Sequence, residues 1–233
     1  MRMRKVAKRA PRTVRQKRKQ PLREDGAQTR QQLLEVAGQV FAEHGYARAT
    51  SKEICERAGA NIAAVNYHFG SKDGLYGAVL EEAHARLLSF DLVSAAVKDQ
   101  TDPAAGMRMF LSRLVNEITR HKEGAWEMRV LSREILAPTP MIERMVANQV
   151  APKVKLVMGM IGGMLGLPAN HPAVSRCILN LMGPCVMLLL IDAKVLGKVM
   201  PSMELDADAL TDHFVTFAVG GIKAIAAKEK KAS

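Results

Sequence analysis

Residues 50–73, with the sequence TSKEICERAGANIAAVNYHFGSKD, constrain the fold more than any other stretch of the chain. Thr50 followed three residues later by Glu53 is a capping-box pair, in which each side chain can satisfy an amide at the start of a helix. Gly59 tolerates the positive φ with which a chain commonly turns after a helix, and Asn61 can cap a second helix. Two short helices joined by a glycine turn predict a helix-turn-helix, whose second helix enters the major groove of DNA.

A supporting helix is predicted on each side of this motif. Before it, Thr29 opens another capping box, and the apolar spacing predicts a helix over Thr29–His44 that Gly45 ends. After it, Ser71 can cap a helix over Lys72–Val97, because apolar residues recur at helical spacing through that range. The motif and its supports therefore predict a small helical DNA-binding head.

The order of these residues closely resembles the TetR family of transcriptional repressors. The resemblance is strong over about fifty residues, and the segment NIAAVNYHFGSKDGLY is similar to the CecR-like branch of that family. A looser resemblance extends into the C-terminal part, through the short motifs Leu-Ala-Pro, Gly-Leu-Pro and Gly-Pro. The positions that carry the resemblance in the head are Phe41, Gly45, Tyr46, Thr50, Ile54, Gly59, Val65, Tyr67, His68, Phe69, Lys72 and Leu75.

The residues predicted to bind DNA lie on the two helices of the motif and just beyond them. The N-terminal half of a recognition helix meets base edges, and asparagine can pair with adenine through two hydrogen bonds. The resemblance implies phosphate contacts by Thr50, Tyr67, His68 and Lys72, although Tyr67 and His68 could instead only pack the head. Ile62 is expected nearer the buried side. The complete predicted set is Thr50, Ser51, Lys52, Asn61, Ile62, Ala63, Asn66, Tyr67, His68 and Lys72.

The basic charge of the chain is concentrated at its start. The formal net charge is +11, and residues 1–23 hold eleven Lys or Arg and no acid. The other 23 basic residues equal the 23 acidic ones, so the rest is neutral. We predict a disordered basic tail over residues 1–25. It could hold phosphates or reach a minor groove, as homeodomain arms do, or it could simply be solvated.

The remainder of the chain predicts an all-α protein, because helical spacing recurs and no alternating strand pattern appears. We expect a helix-turn-helix DNA-binding domain over residues 26–75 and a helical body over residues 76–228. The resemblance implies that this body binds an effector and forms a dimer through its last two helices. Helices of the body are predicted from Pro103, over Ala125–Leu136, over Met141–Leu165 with a bend at Pro152, from Pro172 with a kink at Gly183–Pro184, and from Asp206 or Asp208 to Ala227.

Catalytic and metal-binding patterns are missing from the sequence. Three cysteines suit a reducing cytoplasm, and the six histidines are scattered without metal-ligand spacing. Neither a phosphate-binding glycine loop nor a nucleophile elbow is present. The apolar run Cys177–Ile191 is interrupted by polar and proline residues and predicts a buried core helix rather than a membrane span. We therefore expect neither an enzyme nor a cofactor nor a metal nor a membrane partner, and no secretory signal.

These observations predict a cytoplasmic, homodimeric repressor that binds a palindromic double-stranded DNA operator and responds to a small molecule. The effector is expected to be largely apolar, since methionines could line an adaptable cavity, although an ordinary methionine-rich core would give the same pattern. A different class of function is an architectural protein that tolerates many DNA sequences and binds them chiefly through its basic tail.

Overall fold

A computed structural model describes residues 21–98, 102–121 and 124–232, and these residues form helices without any strand. The predicted all-α class is confirmed. The helices are α1 (Pro21–Arg48), α2 (Ser51–Ala58), α3 (Ile62–Phe69), α4 (Lys72–Leu87), α5 (Phe90–Lys98), α6 (Pro103–His121), α7 (Trp126–Leu136), α8 (Ile142–Met145), a π-helical segment (Val146–Val150), α9 (Ala151–Leu165), α10 (Pro172–Leu190), α11 (Ala193–Val199) and α12 (Ala207–Ala232).

The first helix is longer than the sequence predicts. It begins at Pro21 rather than at Thr29, with proline at the position where a missing N–H costs nothing. Residues 21–25, predicted as part of the disordered tail, therefore lie in α1, whereas residues 1–20 of that tail lie outside the described residues. Gly45 interrupts the helix as expected, with φ 73° and ψ 164°, a conformation that favours glycine.

The head packs around one end of an apolar core that continues into the body. Side chains from α1, α2, α3 and the first turns of α4 meet there with almost no solvent exposure, so these four elements share one interior. This core fixes the angle between α2 and α3, which neither helix could hold alone because each spans only eight residues. Its most buried members are Leu33, Ala37, Val40, Phe41, Ile54, Val65 and Leu75.

The helix predicted over Lys72–Val97 is two helices. Leu88 adopts an extended conformation with φ −148°, which ends α4 at Leu87. The Ser89 hydroxyl then accepts a hydrogen bond from the amide of Leu92 at 3.3 Å and caps α5. The single-helix prediction is wrong because a serine cap lies inside an otherwise continuous apolar pattern.

A second difference lies in the segment predicted as one helix bent at Pro152. Four helical residues of α8 lead into the π-helical segment, in which the amide of Ala151 donates to the carbonyl of Val146, five residues back. Pro152 has no N–H to continue a regular α-helical ladder and stands in the first turn of α9. The chain accommodates the proline by widening one turn rather than by a simple bend.

The body encloses its core between α6, α9, α10 and α12, and α6 and α12 pack together most extensively. α10 begins at Pro172 as predicted, behind a cap from His171. By length and composition alone α10 is apolar enough to cross a membrane, yet it packs against α6, α9 and α12 within the body. α11 starts behind an Asp192 cap and is a further helix that was not predicted from the sequence.

Candidate nucleic-acid interface and its link to the body

The first helix of the predicted motif is capped as expected at both ends. The Thr50 hydroxyl accepts a hydrogen bond from the Glu53 amide at 3.2 Å. Gly59 adopts the left-handed conformation with φ 60°, and the next amide closes the turn on the carbonyl of Cys55 at 2.9 Å. The Glu53 carboxylate pairs with Arg57 at 2.8 Å instead of completing the capping box.

The second helix of the motif is held by caps of the same kind. The Asn61 side chain accepts from the Ala64 amide at 2.9 Å, and the Ser71 hydroxyl accepts from the Gly74 amide at 3.1 Å. These two caps fix where α3 begins and where α4 starts behind it. Between them Val65 is fully buried, so the opposite face of α3 is turned outward.

Five of the ten residues predicted to bind DNA are exposed on α3 or at its cap, namely Asn61, Ile62, Ala63, Asn66 and Tyr67. Tyr67 is 84% exposed and Ile62 is 51% exposed, so the expectation that Ile62 faces inward is wrong. Ile62 begins the helix immediately after the cap, before the apolar face turns into the core. The other exposed members of the set are Thr50, Lys52, Asn61, Ala63 and Asn66, whereas Ser51, His68 and Lys72 are half-buried.

Lys72 is anchored by the head itself. Its ammonium group donates to the carbonyls of Tyr46 and Ala49, both at 2.8 Å, and lies 4.4 Å from the centre of the Tyr46 ring. The Tyr46 hydroxyl donates to Asp73 at 2.5 Å, and this bond raises the pKa of Tyr46. Lys72 therefore fastens the chain ahead of α2 to the start of α4, which places its charge beside Thr50.

His68 lies within a row of aromatic rings on α3. Its ring centre is 4.8 Å from that of Tyr67 and 6.1 Å from that of Phe69. The guanidinium of Arg30 covers Phe69 at 5.1 Å and ties this end of α3 to α1. Packing thus orients Tyr67 and His68 at one edge without burying Tyr67.

Arg86 joins the head to the body. Its guanidinium bonds Glu35 of α1 at 2.9 Å, Glu82 of α4 at 2.9 Å and Glu127 of α7 at 2.7 Å. Partial burial disfavours the charge, but the bonds to the three carboxylates outweigh it and raise the pKa of Arg86. Trp126 stacks beneath Arg86 and donates to Glu35 at 2.7 Å, so α1, α4 and α7 meet in one polar junction.

A second junction is centred on Tyr76 of α4. Its ring lies 4.7 Å from that of Phe41 and 5.0 Å from that of Tyr46, and its hydroxyl donates to the buried carboxylate of Glu134 at 2.8 Å. Burial, and then the bond to Glu134, raises the pKa of Tyr76. Glu134 also accepts from the amide of Thr139 at 2.8 Å, which ties the loop after α7 to the head.

Sequence reasoning missed both junctions. Their partners are separated by as many as 91 residues, and no local spacing connects Glu35 with Trp126. In the sequence these partners are only single charged and aromatic residues on separate helices. Such residues are common on solvated helix faces.

Two cavities of the body lie beside these junctions. Met128 lines both of them, together with charged side chains. The larger, about 390 Å³, is lined by Arg86, Leu87, Arg113, Glu117, Ala125, Glu127 and Met128. The smaller, about 240 Å³, is lined by Ile118, Met128, Arg129, Ser132, Arg133 and Leu189.

The outer face of α10 and α12 is unusually apolar. Leu179 is 73% exposed, Phe217 is 72% exposed and Met187 is 55% exposed. A narrow groove between the two helices carries Leu181 and Ile222 at its floor and Phe217 at its edge. Large exposed apolar side chains on two neighbouring helices are typical of an interaction surface.

Comparison with known proteins divides the chain in the same way as the fold. Residues 33–79 match the family described as bacterial regulatory proteins of the tetR family. Residues 103–222 match the C-terminal domain of the HTH-type transcriptional dual regulator CecR. These two matches correspond to the head with the start of α4, and to the body from α6 into α12.

Similar proteins are named as transcriptional regulators. TtgR from Pseudomonas putida is 34% identical over 98 residues, which are 41% of this chain and 45% of TtgR. The repressor AcnR from Corynebacterium glutamicum is 42% identical over 59 residues, 25% of this chain and 31% of AcnR. CecR from Shigella flexneri is 29% identical over 167 residues, 66% of this chain and 71% of CecR. The match thus spans less than half the length of TtgR and of AcnR.

Solved structures share the fold at low identity. The fatty acid degradation regulator FadR from Bacillus halodurans aligns with a TM-score of 0.61 at 16% identity, covering 82% of this chain and 98% of that one. A TetR-like regulator from Rhodococcus sp. RHA1 aligns with a TM-score of 0.58 at 17% identity, covering 83% and 95%. This likeness concerns the architecture of a helix-turn-helix head on a helical body.

Proposed function

Because the chain belongs to the TetR family of bacterial transcriptional regulators, with a C-terminal domain of the CecR type, we propose that it is a ligand-responsive repressor. It acts in the cytoplasm and binds a palindromic DNA operator as a homodimer. The observation that carries this proposal is the outward face of α3, where polar and small side chains are exposed on a helix fixed by caps and a buried core.

DNA reading is assigned to the start of α3 and phosphate binding to the residues around it. Asn61 and Asn66 offer amides to base edges, and Ile62 and Ala63 offer apolar contact to a thymine methyl group. Half-buried Ser51 and exposed Lys52 stand at the start of α2, beside the Thr50 cap. Thr50, Tyr67, His68 and Lys72 supply donors to phosphates, which set the position of the head without reading sequence.

Homodimerisation is assigned to the apolar face of α10 and α12. Exposed Leu179, Met187 and Phe217 lie on this face, and a two-fold axis would bring each side chain against the same surface of a second copy. A two-fold dimer presents two recognition helices, which suits a palindromic operator.

Regulation is assigned to a small molecule that binds the body. α4 links the two parts, since its first residue anchors the head and Arg86 near its end bonds α1 and α7. A ligand changes DNA affinity only if it binds one arrangement of the heads better than the other.

The architectural alternative rests on the eleven basic residues of segment 1–23. A protein of that kind would bind most sequences similarly, with affinity that falls steeply as salt rises.

Selection of binding sites from random double-stranded DNA at 150 mM salt separates the two functions. We expect enrichment of one sequence with two-fold symmetry. The matched control is the double variant Asn61→Ser and Asn66→Ala, in which serine keeps the cap of α3. It should fold normally but enrich no common sequence. Recovery of unrelated sequences by the wild-type chain would refute the repressor and favour the architectural protein.

A further inference from the structure

Lys153 is the most unusual charged residue of the body. It stands in the first turn of α9, and only 3% of its surface is exposed. Its ammonium nitrogen lies 3.0 Å from Nδ1 of His84 and 3.1 Å from the side-chain oxygen of Gln149. Both partners are uncharged at neutral pH. No carboxylate among the residues whose side chains the structure describes lies within 4.0 Å of this nitrogen.

The missing carboxylate makes this lysine costly to the folded protein. Lysine is almost never fully buried unless it is paired, because a cation loses its hydration on burial. Burial lowers the pKa of Lys153 to about 8, so the amine still carries its charge at pH 7. Burial, and then the charge of Lys153, lowers the pKa of His84 to about 4, which keeps the imidazole neutral and able to accept a hydrogen bond.

The two acidic residues of α4 that lie closest before His84 in the sequence are already engaged elsewhere, Glu82 by Arg86 at 2.9 Å. Glu81 binds Arg144 at 2.9 Å and Asn148 at 2.7 Å, one turn of α4 away from His84. An ammonium group can donate three hydrogen bonds, and His84 and Gln149 account for two. Lys153 is therefore a buried cation. Among the described side chains it has no counter-charge, and one of its three N–H donors has no partner.

The position of Lys153 favours a functional reason for this cost. The π-helical segment Val146–Val150 ends just before α9 and supplies Gln149, and such widened turns are frequent at functional sites. His84 belongs to α4, the helix whose N-terminus anchors the head through Lys72. A change in the contact between Lys153 and His84 would therefore act on the helix that carries the head.

We propose that Lys153 is an anion-binding residue and that the effector of this protein carries a carboxylate, which Lys153 binds at the contact between α4 and α9. The inference rests on the proposed function and adds the chemical class of the ligand. A bound carboxylate supplies the missing counter-charge and takes the remaining donor. It thereby stabilises the arrangement in which Lys153 of α9 also bonds His84 of α4.

The first test measures the cost of the lysine without any ligand. Lys153→Met keeps the length of the side chain and removes its charge, and Lys155→Met is the matched control at an exposed position two residues away. We expect a higher melting temperature for K153M than for the wild type, since replacing an uncompensated buried charge with an apolar group is commonly stabilising. K155M should melt like the wild type. A melting temperature of K153M well below that of K155M would overturn the proposal, because the lysine would then serve the fold.

The second test uses acids and their neutral isosteres at pH 7. Hexanoate, benzoate and phenylacetate are each compared with the corresponding primary amide by thermal shift and calorimetry on the full chain. At least one carboxylate should stabilise the wild type and K155M but not K153M, and its amide should have no effect. Equal responses to acid and amide, or an equal response of K153M, would overturn the proposal. Site selection from random DNA without ligand is independent of this result, so loss of sequence selection would refute the repressor and leave the carboxylate site standing.

Discussion

At the scale of single residues, the exposed amide of Asn66 is the clearest candidate for reading a base. Asn66→Ala should weaken binding to the selected operator by about 1–3 kcal/mol, because it removes a pair of hydrogen bonds to a base edge. Binding to unrelated DNA should hardly change, since phosphate contacts dominate there. Fluorescence anisotropy on both DNAs measures the ratio.

The exposed loop residue Asn170 supplies the control for this prediction. Asn170→Ala should leave both affinities unchanged. An Asn66→Ala variant that loses the same factor on operator and unrelated DNA would show that this side chain does not read sequence.

His84 gives a prediction about pH. Burial, and then Lys153, lowers the pKa of His84 from 6.5 to about 4. Between these values the unfolded chain binds a proton that the folded chain does not, so acidification from pH 6.5 to pH 4 favours unfolding. The shift corresponds to a loss on the order of 3 kcal/mol at most. The charged group that contacts the imidazole is Lys153 of α9, whereas Glu81 of α4 and Arg144 of α8 bond each other.

Urea denaturation of the wild type and of His84→Asn between pH 7.5 and pH 4.5 measures this effect. Carboxylates elsewhere titrate in both proteins, so the difference between the two curves isolates position 84. The free energy of unfolding of the wild type should fall more steeply below pH 6.5. Parallel curves would show that the imidazole titrates normally.

At the scale of elements, local signals predicted the head well. Thr50, Asn61 and Ser71 cap helices through amides only three residues away, so the sequence alone contains the information. Lys72 was predicted as a phosphate contact, but its bonds reach Tyr46 and Ala49, more than twenty residues back, and no local spacing reveals them.

The body was predicted less well for the same physical reason. Trp126 lies against α1 and the Arg86 junction collects carboxylates from three helices, so these contacts exist only after the chain has folded. The break between α4 and α5 was missed because helical spacing continues across it, and an apolar residue in the extended conformation looks the same in the sequence.

Gly38 tests the contact between α1 and α7. A Cβ atom at this position would lie 2.4 Å from the ring of Trp126, so α1 and α7 can approach each other only because residue 38 has no side chain. Gly38→Ala should destabilise the protein by about 1–3 kcal/mol through overpacking. Gly26, in the same helix, faces open space, and Gly26→Ala should stabilise by about 0.5–1 kcal/mol through helix propensity.

Chemical denaturation of both glycine variants gives the two free energies. Because Trp126 also bonds Glu35, the Gly38 variant should in addition lose affinity for the operator. Equal stability of the two variants would mean that α1 and α7 are not packed this closely.

At the scale of the whole molecule, the apolar face of α10 and α12 predicts the assembly. Phe217→Glu places a charge in the centre of the proposed dimer contact, where burying it unpaired is costly. Light scattering at micromolar concentration should give a dimer for the wild type and a monomer for F217E, with unchanged helical circular dichroism. Phe90→Glu, at a 47% exposed position of α5, should remain a dimer.

A monomeric wild-type protein would contradict the proposed homodimer. A dimeric F217E variant would move the interface away from this face while leaving the oligomeric state intact.

We propose that the two heads of one dimer read two half-sites together, and a change in the spacing of the half-sites tests this. Recognition helices of such dimers enter successive major grooves ~34–36 Å apart, one helical turn of DNA. Insertion of about 5 base pairs between the half-sites turns one of them to the opposite side of the duplex. We expect affinity at 150 mM salt to fall toward that for unrelated DNA, a loss of roughly 10³-fold or more. Unchanged affinity for the separated half-sites would contradict paired reading and would favour an architectural protein that binds through charge.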